Sequence, residues 1–185
     1  INLLDELNHS NFFSIINDNE LYIVSNGAGP VFVLRDNIFK RIDNSSPHKN
    51  QFGGARFIYN NKIHIYGGYG FWSFKSFITF FDQNISQWDL LYNESEYTPP
   101  GRWKPIYNLV NDRLYILGGR SGPAGSVGQD IGFSDVFYFD FLSKEFIDLG
   151  KVNPEFSPNY SLFSHPKIDD NLIILDNNKL IKIDF

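Results

Sequence analysis

The residues of this chain with the types and spacing to do chemistry are four histidines, two carboxylate pairs and two of its glycine pairs. The histidines, His9, His48, His64 and His165, show no i, i+4 pair and no cysteine accompanies them, so they form no metal-ligand pattern. His64 lies between Ile63 and Ile65 in a run of strand character, where a satisfied, half-buried ring is expected; His48 and His165 adjoin prolines in loops. Asp5-Glu6 and Asp169-Asp170 are adjacent residues, which point to opposite faces of a strand, and the second pair has the composition of a hairpin turn. Gly67-Gly68 and Gly118-Gly119 resemble a phosphate cradle only superficially, because such a loop needs a helix N-terminus after it. Gly67-Gly68 leads instead into Tyr69-Gly70-Phe71-Trp72 and another strand, so both pairs are read as structural stops that permit positive φ or close backbone approach. No catalytic residue, metal or cofactor is expected.

The elements that hold these residues repeat. Gly67-Gly68 and Gly118-Gly119 close the similar runs Lys62 to Tyr66 and Arg113 to Leu117, at a spacing of 51 residues (67 to 118). A two-residue polar turn precedes each of four such runs: Asp18-Asn19, Asn60-Asn61, Asn111-Asp112 and Asp169-Asp170. Asn and Asp tolerate the positive φ of tight hairpins, and an apolar strand also precedes each turn, so the turn joins the first two strands of a unit. A third strand comes after it (Val31 to Leu34, Phe77 to Phe81, Val136 to Phe139, Leu180 to Ile183), then a fourth marked by Phe39, Trp88 and Phe146. Four-stranded repeats of this length are propeller blades. The chain is therefore divided into residues 1–7, a fourth strand of a preceding or closing blade; 9–43, a degenerate blade; 51–92 and 100–149, two regular blades; and 160–185, a degenerate partial blade. Trp88 and Phe146 are expected to pack between blades.

Composition agrees with an all-β chain: 185 residues, 19 Phe and 10 Tyr, with a net charge of −5. The charge provides no basic stripe for a phosphate backbone, which argues against nucleic acid as a partner. No apolar run reaches the roughly 18 residues that cross a bilayer, so no membrane insertion is expected in this segment. The lack of methionine leads to the expectation of a piece of a longer protein, the rest of which is a partner of this segment. Asn-x-Ser sequons at Asn8, Asn44, Asn84, Asn93 and Asn159 are more than the about two expected by chance in so asparagine-rich a chain, and do not by themselves show secretion. An extracytoplasmic setting is favoured over a cytoplasmic one.

Asn60-Asn61-Lys62-Ile63-His64-Ile65-Tyr66-Gly67-Gly68, with Phe81-Asp82 and Trp88 after it, resembles a blade of the kelch-repeat family. Pro100-Gly101-Arg102, Leu114 to Gly119, Val136 to Asp140 and Phe146 resemble a second, with phenylalanine in place of the tryptophan. Ser25-Asn26 and Asp176-Asn177 stand where the flanking units would carry double glycines. The resemblance implies a kelch-type β-propeller of about four blades, part of a larger one, and it implies no activity. Galactose-oxidase-like kelch enzymes use a cysteine cross-linked to a copper-ligand tyrosine, and this chain has no cysteine.

The variable element is the loop between second and third strands: Tyr69 to Lys75 in one unit, Arg120 to Gly132 in the next. Such loops open on one face of a propeller, so Tyr69, Phe71, Trp72 and Lys75 are expected beside Arg120 and Asp130 as an aromatic and charged platform for a protein, peptide or glycan. The expected function is non-enzymatic binding. The alternatives are an extracytoplasmic ligand-sensing domain of a membrane-anchored signalling protein, and a carbohydrate-active propeller enzyme with carboxylates converging at the axis.

Overall fold

The computed structural model describes residues 11–45, 50–124, 129, 131–152, 167–168, 171–176 and 179–184, and among these there is no helix. The strands assemble into antiparallel sheets. The first contains β1 (Phe12–Asn17), β2 (Glu20–Ser25), β3 (Val31–Arg35) and β4 (Ile38–Arg41) in simple meander order. In the second, β5 (Ala55–Tyr59) and β6 (Lys62–Tyr66) are succeeded by a short hairpin, β7 (Tyr69–Gly70) and β8 (Ser73–Phe74), before β9 (Ile78–Asp82) and β10 (Gln87–Leu91) complete the order β5-β6-β9-β10. The third repeats this: β11 (Ile106–Val110), β12 (Arg113–Leu117), the hairpin β13 (Arg120–Ser121) and β14 (Ile131–Gly132), then β15 (Asp135–Asp140) and β16 (Glu145–Lys151). A last sheet has β17 (Lys167–Ile168), β18 (Asn171–Asp176) and β19 (Lys179–Ile183). The expected strand at residues 1–4 and the Asp169-Asp170 turn lie outside the described residues.

The first-to-second-strand turns arise from their residues. Asp18 and Asn19 have φ of 49° and 61°, and Asn60 and Asn61 have 46° and 55°, the left-handed values that a two-residue hairpin matched to strand twist demands. Beside each turn the sheets share an ion pair across strands two and three: Glu20 with Arg35, Lys62 with Asp82, and Arg113 with Asp140. The three occupy the same row of the ladder, and the first is reversed in polarity.

The core lies between sheets rather than within one, and the second and third sheets each pack apolar side chains on two neighbours. Tyr22, Val24, Val31 and Val33 of the first sheet pack on Ile63 and Phe81 of the second. Ala55, Phe57, Tyr66 and Ile78 pack on Leu114, Ile116, Phe137, Phe139 and Phe146 of the third. Ile106 and Leu117 pack on Leu172 and Ile174 of the last.

Trp88 sits half-buried where the first and second sheets meet, its ring 5.7 Å from that of Phe81 and its Nε1 donating to Gly29 O across 2.8 Å. Phe146 has the corresponding place between second and third sheets, 4.8 Å from Phe139 and 5.8 Å from Tyr66. Trp88→Ala is expected to cost about 3 kcal/mol, the lower end for an emptied aromatic site because the ring is only partly enclosed. Urea midpoints measure this, and an unchanged midpoint contradicts an inter-sheet role.

Candidate functional site

The glycine pairs end β6 and β12 in left-handed backbone: Gly67 and Gly68 at φ 69° and 100°, Gly118 and Gly119 at 60° and 94°. A Cβ on Gly67 would lie 2.7 Å from Arg102 O, and one on Gly68 would meet the backbone of Gln51. The chain then turns into a stitched base. Tyr69 exchanges two backbone hydrogen bonds with Phe52, and at the same offset Arg120 exchanges two with Trp103. Lys75 N donates to Gly68 O at 2.8 Å, Gly68 N to Arg102 O at 2.7 Å, and Arg102 N to Lys75 O at 2.9 Å.

On this base β7 and β8 form a hairpin whose two-residue tip is Phe71-Trp72, at φ 45° and 64°. Bulky side chains rarely occupy that region, where a left-handed residue costs roughly 1–2 kcal/mol. Both rings are nevertheless held out in solvent, 68% and 73% exposed. The hairpin of β13 and β14 beyond Arg120 likewise exposes Ile131. Both hairpins project from the end of the sheets opposite the Asn60-Asn61 turn, because antiparallel strands alternate their ends.

Arg102 braces both loops from beneath. Its side chain is fully buried, with Nη1 donating to Gly118 O (2.7 Å) and both Nη atoms donating to the Asp135 carboxylate (2.7 Å each). The guanidinium carbon lies 4.5 Å from the Phe133 ring centroid and 4.6 Å from that of Phe137. Above this pair, beside β14, opens a cleft of about 420 Å³ lined by Tyr97, Phe133, Asp135, Asp148 and Lys151.

The residues expected to form a single platform fall into different settings. Both loops are hairpins at their bases. Tyr69 turns its hydroxyl inward, its ring 4.9 Å from Phe74 and only half-exposed, whereas Phe71 and Trp72 stand out in solvent. Lys75 donates to Ser73 Oγ at 2.6 Å, with its pKa lowered by burial, so its charge is engaged by the hairpin's own polar group. Asp130 lies outside the described residues.

At the opposite end of the second sheet, His64 is 4% exposed, stacked on Phe57 at 5.2 Å and met edge-on by Phe141 at 5.7 Å. Its Nδ1 lies 2.9 Å from Lys62 O. Burial pulls its pKa down to about 4, so the ring is neutral at pH 7. His9, His48 and His165 lie outside the described residues, and among the described residues no three metal-ligating side chains gather.

No family model matches the chain, and no curated protein matches it by sequence. Its fold is all-β and propeller-like: a solved structure of the protein YjhT superposes with a TM-score of 0.60 over 89% of this chain at 17% identity. The chain spans 58% of the length of that structure.

The His64 environment predicts a pH dependence. Between about pH 4 and 6.5 the unfolded chain binds a proton that the folded chain refuses, so stability falls as pH drops through this window and levels off below it. The loss is at most about 3 kcal/mol. Its neighbours Lys62 and Asp82 form an ion pair, and Asp82 is held below the usual carboxylate range by Lys62, outside the window. Chemical denaturation from pH 7 to 4 measures the slope; His64→Phe is expected to flatten it, and an unchanged slope in that variant contradicts the assignment.

Proposed function

We propose that this chain is a non-enzymatic segment of a kelch-type β-propeller, about four blades of a larger ring, that recognises a protein partner through the hairpins between second and third blade strands. The observation that carries this reading is the Phe71-Trp72 tip. Two-residue hairpins select Asn, Asp or Gly at their centre, as this chain does at Asp18-Asn19, Asp36-Asn37 and Asn60-Asn61. Two large aromatics at the same left-handed positions, with their rings in water, oppose both backbone preference and the hydrophobic effect. Strain of this kind persists where the exposed group has work to do, and exposed Trp and Phe on a rigid support are the anchors of protein interfaces.

The rest of the hairpin fits that role. Its base is fixed by backbone bonds to Phe52 and Arg102, so little ordering entropy is lost when the tip enters a pocket on a partner. The cleft beside β14 supplies polar groups at the same end of the sheets.

Trp72→Ala combined with Arg120→Ala is expected to leave Tm nearly unchanged and to abolish retention of the partner on immobilised chain. A protein retained by the wild-type chain and lost from the variant is the partner; retention equal in the two places the site elsewhere.

A further inference from the structure

The end of the sheets opposite the hairpins carries a second site. Between the second and third sheets, beside the Asn60-Asn61 turn, lies a cleft of about 390 Å³ walled by Tyr59, Asn60, Lys62, His64, Phe80 and Phe141. Its size falls in the range of small-molecule pockets.

The repeat shows what is unusual about it. At the preceding interface the residue two after Glu20, which itself adjoins the Asp18-Asn19 turn, is Tyr22, whose hydroxyl donates to Glu20 at 2.9 Å and accepts from Gln83 Nε2 at 3.3 Å. The protein closes that position with its own polar groups. At the next interface His64 stands in the place of Tyr22, and Phe141, which comes after Asp140 as Gln83 comes after Asp82, stands in the place of Gln83. The polar arm that would satisfy the ring has become an aromatic wall. Facing Lys62 O, the Nδ1 of the neutral imidazole is the donor, so Nε2 carries a lone pair; among the described residues nothing donates to it. A buried ring whose Nε2 has no hydrogen bond among the described residues thus borders an open cleft.

The surroundings fix the charge of an occupant. Lys62, the charged residue among the described lining side chains, has its Nζ 2.9 Å from Asp82, and the Tyr59 hydroxyl is engaged by Asp112 at 2.8 Å, so the cation at the cleft wall is already paired. Tyr59 and Phe141 stack at 3.9 Å, and His64 lies 5.8 Å from Phe80, so rings wall the cleft beside the polar side chains of Asn60 and Lys62. We propose that this cleft binds a small uncharged ring compound, with one apolar face for the aromatic walls and a hydroxyl or N–H on its edge for His64 Nε2. This site is independent of the partner-binding reading, since it uses neither hairpin. Phenols, indoles and pyranosides share the required chemistry.

The test titrates the ¹⁵N-histidine-labelled chain at pH 7 with phenol, indole and a methyl glucopyranoside in separate arms, reading the His64 Nε2 resonance. Saturable movement of that resonance with phenol or indole assigns an aromatic ligand, and with the glycoside a sugar. Two variants accompany it, read by ligand-detected NMR: His64→Phe removes the acceptor, and Phe141→Gln restores the closing arm of the preceding interface. Each is expected to weaken binding at least tenfold with Tm retained, and either alone suffices should the other fail to fold. No saturable movement with any probe, or undiminished binding in a folded variant, overturns the proposal.

Discussion

The geometry of both hairpins depends on one buried charge, the guanidinium of Arg102. Removing a cation from water costs several kcal/mol unless its donors are matched, and here the Asp135 carboxylate accepts two of them, Gly118 O a third, and Pro100 O the Nε hydrogen, between the rings of Phe133 and Phe137. The backbone of the same residue holds Gly68 and Lys75, at the root of the other hairpin. One residue therefore sets where the chain leaves β12 and where it leaves β6. The preceding unit does the same job without charge: Gln51, which lies 51 residues earlier (51 to 102), donates from Nε2 to Ile65 O and Gly67 O and accepts from Thr79 Oγ1. Two chemistries satisfy the same carbonyl at the first glycine of each pair, which indicates that the constraint is topological: the strand must stop and the hairpin must start there.

Much of this was legible because turns leave a compositional trace. Asn and Asp at positive φ are distinctive, so Asp18-Asn19, Asn60-Asn61 and Asn111-Asp112 located the first two strands of each described four-stranded sheet, and the apolar runs after them located the rest. Side-chain partners were not legible. Arg102 and Asp135 are 33 residues apart, and nothing in their spacing announces a pair. The ladder row of Glu20–Arg35, Lys62–Asp82 and Arg113–Asp140 carries a weak signal, since each charge falls at a fixed offset from its turn, but the reversed polarity of the first pair hides it. The inward turn of Tyr69 depends on its bridge to Phe52, a contact that local pattern does not encode.

Phe71 and Trp72 were legible as aromatics of a binding loop, but their place at the tip of a two-residue hairpin escaped sequence reasoning for the opposite reason. Turn rules predict Asn-Gly or its relatives at a two-residue tip, and an aromatic pair reads as strand or core. Places where local preference and observed structure conflict are where function is to be sought, because the conflict persists only if something outside the free chain rewards it.

One measurement bears on the tip most directly: the unfolding free energy of the Phe71→Asn, Trp72→Gly double variant against the wild-type chain. If the aromatic tip is kept for recognition, replacing it with residues suited to positive φ relieves backbone strain and removes two exposed rings, and stability rises by roughly 1–3 kcal/mol. If stability falls instead, the rings support the fold, and the tip is not a recognition element.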